Sequence, residues 1–244
     1  MKNLLKALAV GAAISLSASA HALVIDSFTV AQSTTDNSTA GGGNWTTVTG
    51  ATSSIIGGVR EVYVEKVAGT VGIVASDIDG GVFSFSNTGT AYGNTIVRWD
   101  GLDSGSTTRD YNLGLNLSSI GNITYNIVSA DAGFTLTFAL YKSATEYSKI
   151  TIVSSTGGNN YSETFSIGAF LLGSGTYGNV VIENVGFDYA DLFTIGAIEA
   201  SAIGSASLDF VIESVSVVPE PASVALAGIG LLGLAATRRR KATK

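Results

Sequence analysis

Between residues 23 and 217 apolar and polar positions alternate in short bursts. Phe134, Leu136, Phe138 and Leu140 fall on one side of a segment whose other side carries Thr135, Thr137 and Ala139. Tyr111, Leu113, Leu115 and Leu117 repeat the pattern, as do Ile123, Tyr125 and Ile127, and Leu208, Phe210 and Ile212. A period of two puts alternate side chains on opposite faces of a strand, which marks a half-buried β-strand. Shorter apolar runs add candidate strands at 23–30, 59–67, 71–75, 82–85, 95–99, 149–153, 164–167, 180–185 and 195–203. A helical period is nearly absent between the two ends; residues 188–194 are the one candidate helical turn.

Turn chemistry separates these runs. Asp79-Gly80-Gly81, Asn87-Thr88-Gly89, Asp100-Gly101 and Gly173-Ser174-Gly175 supply residues that tolerate positive φ. The polar, glycine-rich stretch 32–50, with Trp45 inside it, reads as a long surface loop. About a dozen short strands with such turns predict an all-β fold, an antiparallel two-sheet sandwich of jelly-roll type.

The pattern changes at both ends. Lys2 and Lys6 precede an apolar stretch at 7–16, and small residues follow it up to Ala22. This is the layout of a secretory signal peptide over 1–22, with a cut after Ala22 through the pair Ala20 and Ala22, or alternatively after Ala20. At the other end, 218–244 divides into Val218-Pro219-Glu220-Pro221, an uncharged run at 222–237, and the basic cluster Arg238, Arg239, Arg240 and Lys241. Sixteen helical residues reach roughly 24 Å, short for a bilayer core of about 30 Å but within what local thinning absorbs. The arginines favour the cytoplasmic side, which places the preceding residues outside. Pro219 and Pro221, the two prolines of the chain, fix φ and remove two donors, predicting an extended segment free of ladder hydrogen bonds.

Composition narrows the chemistry. The body, 23–217, contains no His, Cys, Met or Pro, and its six basic against eighteen acidic residues give it a formal charge of −12, against −6 for the whole chain. Such a surface disfavours nucleic acid as a partner. Triads built on Ser-His or Cys-His, and zinc or copper sites built on His and Cys, are excluded there. No cofactor is called for. Oxygen chemistry remains: Asp77 with Asp79, and Asp100 with Asp103, are candidate Ca²⁺ positions, although a solvated turn accounts for each pair as well. Asp26 with Asp209 or Glu213 is a third candidate, if first and last strands meet. A carboxylate pair about 5–9.5 Å apart could also cleave glycosides. Trp45, Trp99, Tyr92 and Tyr177 could stack on sugar rings. Trp99, in a strand, reads as core, which leaves Trp45 the better carbohydrate contact.

The C-terminal residues Pro219-Glu220-Pro221, the apolar run and the arginine cluster together resemble the PEP-CTERM protein-sorting signal. That resemblance implies processing by an exosortase, a membrane-embedded cysteine transpeptidase. It implies an inner-membrane-anchored precursor and a mature form at the envelope, outer surface or biofilm matrix of a Gram-negative-type bacterium. The body strings Val24-Ile25-Asp26-Ser27-Phe28, Val97-Arg98-Trp99-Asp100-Gly101 and Leu208-Asp209-Phe210-Val211-Ile212-Glu213 resemble galactose-binding-like jelly rolls, which implies a fold and not a ligand. The expected function is that of a non-enzymatic exported matrix protein. Its body is structural, adhesive or exopolysaccharide-associated; the alternatives are a carbohydrate-binding module and a carboxylate-based glycan hydrolase or lyase.

Overall fold

A computed structural model describes residues 23–39, 41–101, 108–155 and 157–219. Residues 1–22 with Ala20 and Ala22, and 220–244 with Glu220, Pro221, Arg238, Arg239, Arg240 and Lys241, lie outside the described residues, as does Asp103.

Two antiparallel sheets make the body, as the alternation predicts. The seven-stranded sheet contains β1 (Leu23–Asp26), β2 (Gln32–Asp36), β5 (Val74–Asp79), β6 (Val82–Asn87), β8 (Ile120–Ala130), β11 (Gly158–Ser166) and β15 (Asp209–Pro219), in the order β11-β8-β15-β6-β5-β2 with β1 also on β15. The eight-stranded sheet contains β3 (Asn44–Thr49), β4 (Val59–Ala68), β7 (Tyr92–Trp99), β9 (Phe134–Tyr141), β10 (Tyr147–Ser154), β12 (Gly175–Tyr177), β13 (Val180–Val185) and β14 (Ala197–Gly204). Its order is β12-β13-β10-β9-β14-β7-β4-β3. Neighbours are mostly non-consecutive in sequence, so the chain crosses repeatedly between sheets and closes one core. Phe85, Phe138, Phe170, Phe210 and Trp99 fill it, each 0–1% exposed. The 3-10 segment Tyr189–Phe193 falls on the expected helical turn; Asp188 and Asp191 cap it reciprocally.

Three stretches depart from the pattern. The supposed loop 32–50 holds β2 and β3, and Trp45 lies on a strand. β2 is hard to read because its buried side chains are polar: Gln32, Thr34 and Asp36 face inward. Gln32 donates to Thr46 O at 2.9 Å, and Thr34 pairs with the Thr46 hydroxyl. Conversely, the clean alternation at 111–117 yields no named strand. Leu113 N and Leu115 N donate to Gly196 O and Ile195 O, which leaves a single bridge. Finally, β15 continues through Val218 to Pro219, which lies opposite Ile120 across a register shift. A proline that has no donor to offer is tolerated at such an irregular last rung. Its backbone is therefore paired, where the sequence suggested a segment clear of the sheet.

Candidate functional site

The outer face of the eight-stranded sheet carries the chemistry. Residues opposite one another in adjacent strands share a face. The register therefore draws one row across it: Thr47, Glu61, Arg98, Glu199, Ala139, Lys149 and Glu183. A second row runs beside it through Trp45, Tyr63, Ile96, Ser201, Thr137 and Thr151. Acids and bases alternate along the first row, and hydroxyls and rings fill the second.

Glu199 is the hub. It accepts from Arg98 Nε at 2.6 Å, and from Arg109 Nε and Nη2 at 2.9 and 2.6 Å. Arg98 Nη1 also donates to Glu61 at 3.0 Å. Burial by itself would raise the Glu199 carboxyl, but the two guanidiniums, Arg109 first, outweigh it and hold the group below its usual value. Arg109 is raised in turn, since its bonds to Glu199 outweigh its own desolvation. Both cations lie over rings: Arg98 Cζ is 4.4 Å from the Trp45 centroid and Arg109 Cζ 3.7 Å from that of Tyr141. Trp45 also packs on Tyr63 at 4.8 Å.

Past Tyr141 the face opens into a cleft of about 320 Å³, lined by Tyr141, Thr137, Thr151, Ser201, Lys149 and the carboxylates Glu183 and Glu199. The Tyr147 hydroxyl donates to Glu183 at 2.6 Å and Lys149 Nζ lies 3.2 Å from the same carboxylate. That Tyr147 bond, more than the lysine, holds the Glu183 carboxyl below its usual value. Both carboxylates of the cleft are thus kept ionised, the opposite of what a general acid requires.

The other sequence candidates fall elsewhere. Asp77 and Asp79 are exposed on β5, on the opposite sheet. Asp100 is buried, and burial raises its carboxyl while it accepts from Asp110 N at 2.8 Å, which ties down a loop end. Among the described residues no group of three or more acidic side chains is placed to hold a metal. β1 does meet β15, with Leu23 opposite Val217, so the first and last strands join. Yet Asp26 turns into the core while Asp209 and Glu213 stay exposed. Asp26 accepts from Arg60 Nη1 at 3.0 and 3.1 Å, from Trp99 Nε1 at 2.8 Å and from Phe28 N at 2.8 Å. The last is an Asx turn that helps hold Phe28 at φ 54, a left-handed value for a non-glycine residue. Trp99 is core, as its strand position suggests; Tyr92 and Tyr177 are half-exposed on β7 and β12.

Sequence reasoning picked Trp45 but missed the hub. Glu61, Arg98, Arg109 and Glu199 are scattered over some 140 residues; the register aligns Glu61, Arg98 and Glu199, and Arg109 reaches Glu199 from the segment that follows β7, outside any strand. The one local signal was that four of the six body cations, Arg98, Arg109, Lys142 and Lys149, lie within two residues of an aromatic residue.

No curated protein matches this sequence. Among solved structures the chain is similar to the family 11 carbohydrate-binding module of cellulosomal cellulase Lic26A-Cel5E of Clostridium thermocellum, at 14% identity over 83% of this chain and 96% of that one, TM-score 0.39. The solution structure of CtCBM11 aligns at 15% identity over 84% and 99%, TM-score 0.39. TmCBM61, in complex with β-1,4-galactotriose, aligns at 10% identity over 72% and 88%, TM-score 0.31. Residues 217–241, which begin on the last rungs of β15, match the PEP-CTERM protein-sorting motif.

Proposed function

We propose that this chain is an exported, non-catalytic envelope or matrix protein whose body binds polysaccharide on the outer face of the eight-stranded sheet, and whose tail is the substrate of an exosortase-type transpeptidase. The row Trp45–Arg98–Glu199–Arg109–Tyr141 and the hydroxyl-lined cleft beside it carry the reading for the body. Aromatic rings offer platforms for the apolar faces of sugars, while fixed carboxylates and an ammonium offer paired acceptors and donors for their hydroxyls. A strongly acidic body favours uncharged glycans over uronate polymers. Glycoside hydrolysis fits this cleft poorly, because both of its carboxylates are held ionised and neither is left to act as the general acid.

The match over 217–241 supports export and sorting. A membrane enzyme gripping Pro219-Glu220-Pro221 would have to lift Pro219 off Ile120 or work on the residues after it.

Native affinity electrophoresis of the full chain through gels cast with neutral β-glucans, galactans and an acidic polymer tests the body. Retardation by a neutral polymer, reduced about tenfold in affinity by Trp45→Ala, is expected from loss of one stacking platform. Unchanged mobility in every gel would remove the glycan reading. Intact mass of the protein recovered from its cell locates both cut sites; replacement of Pro219-Glu220-Pro221 by alanines should leave the tail attached in the inner membrane. Normal processing of that variant would reduce the tail to an anchor.

A further inference from the structure

The end of the sandwich where β15 stops carries a small apolar surface that neither the glycan face nor the core uses. Tyr189 and Phe193 are 56% and 48% exposed, and their rings meet edge to face at 5.7 Å and 86°. They are held rigidly: Asp188 accepts from Ala190 N at 2.7 Å, Asp191 accepts from Asp188 N at 2.9 Å, and Leu192 between them is buried. Backbone bonds place this pair beside the exit of the chain. Leu117 N donates to Leu192 O at 2.7 Å, Ile120 N donates to Leu117 O at 3.0 Å, and Ile120 lies opposite Pro219. Leu23 and Val218, each 39% exposed, stand on the same last rungs.

We infer that in the membrane-held precursor this end of the body, with Tyr189 and Phe193 foremost, rests on the lipid surface. The inference depends on the apolar run 222–237 being in the membrane, as proposed above. The chain length leaves little choice. From Pro219, fixed in the sheet, to Ala222 is three residues, at most about 11 Å of extended chain. The body is tethered at short range, so the effective concentration of its exit end at the bilayer is high and two rings suffice to orient it. Aromatic side chains favour the interfacial zone. Asp188 and Asp191 beside them oppose an anionic surface, so the occupant is a zwitterionic headgroup layer. Once the tail is cut, the tether goes and two rings cannot hold the body: the contact is built to release.

The chain has no cysteine, so single cysteines carry a nitroxide label without ambiguity. The full chain is reconstituted in phosphatidylcholine vesicles with a label at position 190, exposed between the two rings, or at position 71 as the control. Val71 is 66% exposed in the loop between β4 and β5, at the opposite end. Flotation reports whether the tail is inserted. In floated protein, collisions with a water-soluble nickel complex should be about threefold fewer at 190 than at 71, in keeping with an interfacial position. Tyr189→Ser in the same background should return 190 toward the value at 71. Equal accessibility at both positions in floated protein overturns the inference and leaves the anchoring intact. No change with Tyr189→Ser overturns it as well, since proximity alone would then explain the protection. Failure to float removes the anchoring and this inference together.

Discussion

Arg60 and Arg109 are built from the same parts and do opposite work. Each binds a carboxylate and lies over a ring: Arg60 on Asp26 with Phe28 at 5.9 Å, Arg109 on Glu199 with Tyr141 at 3.7 Å. Arg60 and Asp26 are both 0% exposed, whereas the Arg109 side chain is 24% exposed. The difference shows in their protonation. Burial dominates at Arg60 and lowers it, and burial likewise raises Asp26, each partner's charge only restraining the other. At Arg109 the bonds to Glu199 win and raise it. A desolvated pair is retained where it ties chain segments together: Arg60 also donates to Gln32 at 2.8 Å and to Val30 O, so one side chain joins β1, β2 and β4. A pair left partly in water keeps a face charged and available.

The comparison breaks most readily at Arg60. Arg60→Met leaves Asp26 buried without its cation, and breaking a buried pair costs about 3–5 kcal/mol. Urea denaturation should show a loss of that size with an unchanged slope. Asp26→Leu combined with Arg60→Met should recover most of it, because an apolar pair carries no desolvation penalty. A single variant within about 1 kcal/mol of the parent, the ordinary size of a surface pair, would show that water reaches this cluster.

The two clusters differ in how far the sequence betrays them. The alternation in 134–140 and 208–212 names core strands because their inward residues are apolar. β2 stays hidden because its inward residues, Gln32, Thr34 and Asp36, satisfy one another's neighbours through hydrogen bonds and leave no hydropathy signal. Asp26 and Trp99 were each noticed, one as an acid near a terminus and one as a core ring. Their contact is across the two sheets, and no local spacing encodes it. On the outer face Trp45 was legible as an unusual ring in polar surroundings. Glu199, in Ala197–Gly204, sits in an otherwise uncharged strand and looks like any solvated acid. The tail is the reverse case: its three parts are contiguous, so the motif is legible without a fold.

Acid separates the clusters next. Glu199 sits below its usual value in the fold, so the folded state binds fewer protons there than the unfolded chain. Its contribution is complete above the unfolded carboxyl value and is lost as pH falls through the folded one. Asp26 and Asp100 are raised; they take up protons more readily when folded, which offsets part of that loss. Stability followed from neutral to acid pH should therefore decline less steeply in Glu199→Gln than in the parent. A parallel decline in the two would show that the Glu199 carboxyl is not held down.

Arg109→Met sharpens the contrast with Arg60. Glu199 keeps its bond to Arg98 at 2.6 Å, so the carboxylate is not orphaned. With a partly exposed side chain the loss should be about 1 kcal/mol, several times less than at Arg60. Tyr141 would lose the cation over its ring, and retention by a neutral glycan should weaken about tenfold, or ~1.4 kcal/mol. A stability loss as large as that of Arg60→Met, with glycan retention unchanged, would make the outer network structural like the buried one.

The smallest effect on folding is expected at the open end of the row, and it is the most telling. Glu183 accepts from Tyr147 and Lys149 at the cleft rim, with side chains 50% and 29% exposed in the ion pair. Exposed pairs of this kind contribute about 0–1 kcal/mol, because water solvates both charges nearly as well apart as together. Glu183→Gln keeps an acceptor for the Tyr147 hydroxyl and removes only the charge, so the denaturation midpoint should hardly move. A bound sugar displaces that water, and within the cleft the same carboxylate then faces hydroxyl donors in a drier setting, where charged hydrogen bonds contribute about 1.5–3 kcal/mol. The Glu183→Gln chain should therefore fold like the parent and bind glycan at least about tenfold more weakly. Parent-like retention would confine binding to the Trp45–Tyr141 end of the face and leave the cleft a by-product of strand curvature.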